Sequence, residues 1–330
     1  MNWTPPRLED LSDRRLRYVR ISLTDRCQFR CPYCRPEAGE EPCEPTADHL
    51  TARELARVVR VLTTIGIRTV RFTGGEPLLR RDLADVIASV RAVGVDDLAI
   101  TTNGALLSPK RAEALASAGL RRINISLDTL DAERFKALSG GAPITPVLDG
   151  IRAAIDAGMQ LKTNTVVVRG QNDRELLRIA DFVWSIGGVP RFIEVMPMGA
   201  GRALEMVPAD EIMSAFELVP VDEQSLRQPG IGPADYWLHQ GRADQVLGVI
   251  AATTRNFCAS CNRIRLTATG AVRPCLASAV GTELRPILRN VDADDHDLVE
   301  AIYQALAIKP EGHRFSEGIA GELPMKLLGG

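Results

Sequence analysis

The chain contains no apolar run approaching the ~20 residues that a membrane-spanning helix needs. Its opening stretch, MNWTPPRLEDLSDRRLR, holds no apolar core of the kind a secretory signal carries. The chain is therefore expected in the cytoplasm, without a membrane partner. Net charge is also nearly absent: 40 Lys+Arg stand against 42 Asp+Glu, leaving −2, which argues against a nucleic-acid partner. No solenoid-period repeat is present, and 45% hydrophobic residues exclude a disordered or fibrous chain. A chain of 330 residues buries roughly three-quarters of its unfolded surface, so its core does not need disulfides to stand. The 7 cysteines need another explanation. In a reducing compartment clustered thiols read first as metal ligands or catalytic groups.

Apolar, β-rich segments alternate with helix-period segments from about residue 17 to residue 196. The expected strands are Arg17–Leu23, Ile67–Phe72, Leu98–Thr101, Arg122–Leu127, Leu161–Val168 and Arg191–Met196. Between them run amphipathic stretches such as ARELARVVRVLTTIG, DLADVIASVRAVG and ELLRIADFVWSIGG. Six such units favour a parallel sheet covered by helices, as a barrel or part of one; periodicity does not decide between closed and open. After residue 196 prolines and glycines punctuate the chain, so a second region is expected there. It holds a short strand LGVIAAT and a helix DLVEAIYQALAI.

Cys27, Cys31 and Cys34 form C-x₃-C-x₂-C in TDRCQFRCPYC, directly after the first expected strand. Three thiolates at this spacing reach three corners of a cubane iron–sulfur cluster and leave the fourth iron open to a cofactor or substrate. Tyr33, between the last two, is placed to pack on whatever is bound there. The alternative is a structural zinc site completed by Cys43 or His49, although zinc knuckles favour paired C-x₂-C. Cys258, Cys261 and Cys275 form C-x₂-C-x₁₃-C around a hairpin-like LTATGAVR turn, again three thiolates. A Cys₃His zinc ribbon using His239, His296 or His313 is the competing reading. Arg263 and Arg265 alternate on the strand after Cys261 and so share a face, where guanidiniums suit a phosphate or carboxylate. Cys43 is left over with no assigned role.

The first triplet, with Gly74-Gly75-Glu76-Pro77 after the second strand, resembles the radical S-adenosylmethionine (SAM) superfamily. The double-cluster pattern, TDRC, INISLD, RFIE-x-M, FC-x₂-C-x-R-x-R and the terminal Gly-Gly are similar to its GTP 3′,8-cyclase family over about residues 14 to 330. The resemblance implies a partial (β/α)₆ TIM-like barrel over residues 14–200 and a C-terminal region, 201–330, carrying a second [4Fe-4S] cluster. It implies that the first [4Fe-4S] cluster reductively cleaves SAM. The 5′-deoxyadenosyl radical then takes H3′ of GTP, and the C3′ radical attacks guanine C8, giving 3′,8-cyclo-7,8-dihydro-GTP. That product is the first of molybdenum cofactor biosynthesis and the substrate of a cyclic pyranopterin monophosphate synthase. An electron donor such as flavodoxin and a homodimer are further expectations.

Carried over by motif, the SAM contacts fall on Tyr33, Gly75, Ser126 and Met196, and the GTP contacts on Arg20, Arg71, Thr101, Lys162, Arg263 and Arg265, with Arg191 beside them. Independently of the resemblance, Arg20, Arg71, Lys162 and Arg191 sit on four different strands, so if all face inward they form a cationic ring that needs an anion. Each alone reads equally as a solvated strand residue. Thr101 and Ser126 stand at strand ends, as ligand contacts or helix caps, and Met196 alone reads as core. Asn103, Asn124, Asp128 and Glu194 are further polar residues at strand ends. The Gly329-Gly330 tail reads as frayed, or by resemblance as entering the active site. Arg35 departs from the family, many of whose members carry Met there, and Pro220–Pro233 matches no motif. Two competing functions are a peptide-modifying radical SAM enzyme with an auxiliary cluster and a non-catalytic metal protein.

Overall fold

The computed structural model describes residues 8–34, 48–221, 232–240 and 242–315; Arg35, Cys43 and the Gly329-Gly330 tail lie outside them, as does most of Pro220–Pro233. Six strands follow one another in the expected places: β1 Tyr18–Ser22, β2 Thr69–Thr73, β3 Asp97–Thr102, β4 Arg122–Ser126, β5 Gln160–Val167 and β6 Val189–Glu194. Between them lie α1 Ala52–Thr64, α2 Leu83–Ala92, α3 Pro109–Ser117, α4 Ala132–Ser139, α5 Thr145–Asp156 and α6 Leu176–Ser185. Local signals explain several boundaries. Thr51 and Glu54 form a reciprocal capping box at the start of α1, and Asp131 caps α4 through the Arg134 N–H. Gly140, with φ 75°, ends α4 in the left-handed conformation. Each helix buries one apolar stripe against the sheet, as Leu55, Val58, Val59 and Leu62 do on α1.

β1 to β6 pair in chain order, all parallel, but β1 and β6 do not meet. The barrel is therefore open, and the later strands β7 Leu218–Pro220, β8 Asp235–His239, β9 Arg242–Ile250, β10 Arg263–Leu266, β11 Ala271–Arg273 and β12 Thr282–Glu283 extend both of its edges. β9 joins β6 in parallel and continues antiparallel through β8 to β7, while β10 joins β1 in parallel and continues antiparallel to β11 and β12. Residues 201–315 thus complete one twelve-stranded sheet. The strand expected at LGVIAAT is longer and begins at Arg242, because its polar first half pairs with β8, which had no periodic signal of its own. Three further helices follow β6: α7 Ala209–Ser214, α8 Arg285–Arg289 and α9 Asp295–Ala307, the last capped reciprocally by Asp294 and Asp297.

Register decides what faces the concave side. Arg265, Arg20 and Arg71 are direct partners across β10, β1 and β2, and Asn164 partners Arg191 across β5 and β6. Side chains of register partners project to the same face of a sheet, so three guanidiniums stand in one row.

Candidate active site

Two cavities open on the concave side and share a wall at Asn164, Ile193 and Met196. They enclose about 1200 and 1020 Å³ counting their solvent-open mouths.

The first cavity is bordered by Cys27, Cys31 and Cys34 on the loop after β1, and by Gly74–Glu76 after β2. The two glycines are needed because the two loops touch. A Cβ on Gly75 would lie 2.0 Å from the Arg26 carbonyl oxygen, and one on Gly74, at φ 146°, would lie 2.4 Å from that of Thr24. The Gly75 and Glu76 N–H groups donate to those same carbonyls. The glycines therefore fix the cysteine loop itself, a closer constraint than the approach to a cofactor expected of them. Glu76 is fully buried, and its carboxylate accepts from the Leu78 N–H, the Thr102 hydroxyl and the Asn103 N–H, while burial pushes its pKa up. Asn103 in turn directs its side-chain N–H at Cys27 Sγ, 3.7 Å away.

Tyr33, Gly75, Ser126 and Met196 all border this first cavity. Tyr33 donates its phenol to Asp128 at 2.6 Å, and Asp128 also accepts from the Val166 N–H; burial raises its carboxyl to about 6. Glu194 has a different role from the ligand contact considered above. It is fully buried, and accepts from the Ala209, Thr253 and Thr254 N–H groups and from the Thr254 hydroxyl, so its oxygens lock β6 to the segment that leads into the second cysteine set.

The second cavity is bordered by Arg20, Arg71, Arg191, Arg263 and Arg265, and the described residues around it include no Asp or Glu. None of the five is a solvated surface residue: Arg71, Arg191 and Arg265 are buried, Arg20 and Arg263 half-buried. Burial, with like charges beside it, pushes Arg20 well down and Arg191 and Arg265 down to about 10. Tyr18, missed from the sequence, lies among them with the Arg71 guanidinium 5.6 Å from its ring centre. Burial pushes its phenol up, but Arg71, Arg20, Arg263 and Arg191 outweigh that and lower it. Nε of Arg71 and of Arg191 is buried with no hydrogen-bond partner among the described residues. Two buried donors on a guanidinium-rich border that holds no described carboxylate suit a polyanion.

Two residues expected in this group do not border that cavity. Thr101 borders the first one and meets the Asn124 side-chain N–H at 3.4 Å, whose Oδ1 accepts from Arg191 at 2.7 Å. Lys162 borders neither: it is buried, with Nζ 2.8 Å from the Tyr236 hydroxyl. Burial and the charges of Arg191, Arg122 and Arg71 lower Lys162 to about 6. From about pH 6 to 10 the unfolded chain thus holds a proton here that the folded chain does not, so stability rises with pH across that window. Lys162→Met is expected to flatten this rise and to raise the melting temperature at pH 7 by about 2–4 °C, for ~1 kcal/mol of relieved burial. Denaturation of the metal-free variant between pH 6.5 and 9.5 checks it; a slope equal to wild type would mean that Lys162 stays charged.

Cys258, Cys261 and Cys275 also border the second cavity. Arg263 Nη2 and Lys309 Nζ each lie 3.8 Å from Cys261 Sγ; burial pushes that thiol up, but the two cations outweigh it and hold it down at about 7. In the first set burial raises Cys27 to about 12 and Cys31 well above the usual range, so those thiols give up protons only to a metal. Among the described residues no three His, Cys, Asp or Glu side chains converge tightly enough for one metal ion. Each triplet borders a roomy cavity, the arrangement suited to a cluster with one open corner. The histidines of the zinc alternative are engaged elsewhere. His49 pairs with Asp25, His239 packs edge-on against Trp184, and His296 pairs with Glu300. Only His313 reaches the second cavity, where its Nε2 lies 2.8 Å from the Ala252 carbonyl and its ring stacks on Phe315.

Residues 21–183 match the radical SAM superfamily and residues 190–315 the family described as Molybdenum Cofactor Synthesis C. The GTP 3′,8-cyclase of Pelotomaculum thermopropionicum is 40% identical over 98% of this chain and 100% of its own length, and that of Marinobacter nauticus is 41% identical over 94% of each. The chain belongs to the GTP 3′,8-cyclase family. Members of this family carry two [4Fe-4S] clusters and use SAM, and this chain has two cysteine triplets, all six thiols free of disulfides. In fold, the chain is similar to Streptococcus suis SuiB bound to S-adenosylmethionine, with a TM-score of 0.62 at 16% identity, covering 89% of this chain and 68% of that one. SuiB bound to the precursor peptide SuiA gives a TM-score of 0.60 at 14% identity. These likenesses concern the radical SAM α/β fold, with its parallel sheet extended on both edges. No helix among the described residues is long and apolar enough to cross a membrane.

Beyond the cyclase motifs, Tyr18, Tyr236, Arg14 and Lys309 had no signal in the sequence.

Proposed function

We infer that this chain is a GTP 3′,8-cyclase, converting GTP to 3′,8-cyclo-7,8-dihydro-GTP with SAM as the consumed co-substrate. The observation that carries this reading is the second cavity, with five guanidiniums, no described carboxylate and three thiols on its border, continuous with the cysteine-bordered first cavity. Such a chamber suits a triphosphate at one end and a purine at the other. The first cluster with SAM supplies, when bound, a one-electron cleavage that yields a hydrogen-abstracting radical.

This chain's residues do the rest. Gly74, Gly75 and Glu76 clamp the cysteine loop, and Tyr33, Gly75, Ser126 and Met196 hold SAM against it. Arg20, Arg71, Arg263 and Arg265 hold the phosphates of GTP. Thr101 acts through Asn124, which orients Arg191, and Lys162 acts from behind through Tyr236. Met196 and Ile193, on the wall common to both cavities, keep water from the path between the two ligands. Residues 14–200 thus carry the radical chemistry and part of the substrate anchor, through Arg20 and Arg71, and 201–330 supply the rest of that anchor, through Arg263 and Arg265. On the same reading the product passes to a cyclic pyranopterin monophosphate synthase, electrons come from a donor such as flavodoxin, and the chain works in the cytoplasm as a homodimer.

An anaerobic assay of the iron-reconstituted protein with SAM, dithionite and GTP tests it. The expected result is 5′-deoxyadenosine formed in step with loss of GTP to an isomer of equal mass. Deoxyadenosine with untouched GTP would overturn the substrate and leave a radical SAM enzyme acting on something else. A peptide substrate fits the second cavity poorly, because a neutral backbone brings no negative charge to a border of five guanidiniums with no described carboxylate.

A further inference from the structure

Lys309 follows α9, whose C-terminal carbonyls favour a cation, and its own N–H donates to the Leu306 carbonyl. Its side chain turns inward and is only 6% exposed. An ammonium has three N–H donors, and all three are used: on the Arg263 carbonyl at 3.0 Å, on the Pro274 carbonyl at 2.6 Å and on Cys261 Sγ at 3.8 Å. The two carbonyls adjoin the cysteine positions, Arg263 two residues after Cys261 and Pro274 immediately before Cys275. One side chain therefore ties together the two segments, one just before β10 and one just after β11, that carry two of the three thiols.

Its charge is the second part of the argument. Carbonyls solvate an ammonium but do not neutralise it, and no described carboxylate hydrogen-bonds Lys309. The neighbouring Arg14 makes the contrast. It too is buried and reaches into this corner, donating to the carbonyls of Cys258, Pro310 and Glu311, but Asp10 pairs with it at 2.7 Å. Arg14 has its counter-ion in direct contact, whereas Lys309 feels Asp10 only at longer range, together with the opposing charge of Arg14. A buried cation held against a sulfur without a carboxylate is matched to negative charge that arrives on that sulfur.

We propose that Lys309 is a positioning residue that tunes the second cluster, its ammonium donating to Cys261 Sγ and stabilising the reduced, more negative state of the cluster. Hydrogen bonds to cluster sulfurs and nearby charge are among the determinants of such potentials. The inference rests on the second triplet holding a cluster.

The test is an EPR-monitored redox titration of the reconstituted full-length protein, with iron content, in wild type, Lys309→Met and Lys309→Arg; the first cluster is recognised by its spectral response to SAM. Two four-iron clusters give about eight irons per chain. A wild type with about four would overturn the two-cluster reading itself, separately from Lys309. With both clusters loaded, Lys309→Met is expected to shift the midpoint potential of the second cluster to more negative values and leave the first unchanged, with Lys309→Arg nearer wild type. A fully loaded Lys309→Met with an unshifted second potential overturns the proposal. If Lys309→Met loses the second cluster, Lys309→Arg decides: loading with a potential near wild type supports the role of charge, and loss of the cluster there too overturns it.

Discussion

Serine at any one of Cys27, Cys31 or Cys34 is expected to abolish 5′-deoxyadenosine formation altogether, with or without GTP, while the second cluster remains. On the proposed reading the loss is complete because the first cluster depends on all three of these thiolates, and an alcohol does not ionise to replace one. The loop around them cannot compensate. Gly74 and Gly75 lock it against the backbone of Thr24 and Arg26, and Asn103 is fixed to Glu76 as well as to Cys27. Loading must also drive deprotonation of thiols that burial holds at about 12 for Cys27 and well above the usual range for Cys31. Three strong bonds to iron can drive this, and two are far less able to. Iron content is expected to fall from about eight to about four per chain, with unchanged far-ultraviolet circular dichroism. Turnover surviving in a folded variant with four irons would place SAM cleavage elsewhere.

The β/α order, all six inner-strand positions to within two residues at either end and both cysteine sets were legible because each rests on a short-range signal: alternation along strands, helix-period apolar faces, thiol spacing. The arginine row was half legible. Alternation showed that Arg263 and Arg265 share a face, but only the register that pairs Arg265 with Arg20 and Arg20 with Arg71 sets them side by side. What the sequence hid depends on distant partners. β8 lies in a proline- and glycine-rich stretch and exists because β9 offers it an edge. Glu194 looked like a ligand at a strand end, yet backbone N–H groups from residues 209, 253 and 254 converge on it. Lys309 and Arg14 act 48 and 244 residues away from the cysteines they contact, a distance no local pattern spans.

Arg263→Ala combined with Arg265→Ala is the second large effect, and it separates the two halves of the chemistry. The first cavity contains neither side chain, so SAM should still bind there and be cleaved slowly without coupling to substrate. GTP use should collapse. Truncating one partner of a buried hydrogen-bonded charge pair costs roughly 2–5 kcal/mol, and each ~1.4 kcal/mol is tenfold, so even one lost pair raises the apparent KM for GTP by about 30-fold or more. Two adjacent losses are not additive, because removing Arg263 also relieves the repulsion that lowers Arg265 and Arg20. The single variants should therefore sum to more than the double. Their order is informative as well. Arg263 stacks over Phe257 at 4.6 Å and donates to Cys261 Sγ, whereas Arg265 stands in the row with Arg20. Arg263→Ala should then perturb the second cluster's spectrum, and Arg265→Ala should act on triphosphate affinity alone, read as a larger loss for GTP than for guanosine. If the double variant also loses SAM cleavage while folded and fully loaded with iron, the two cavities do not divide the work between SAM and GTP.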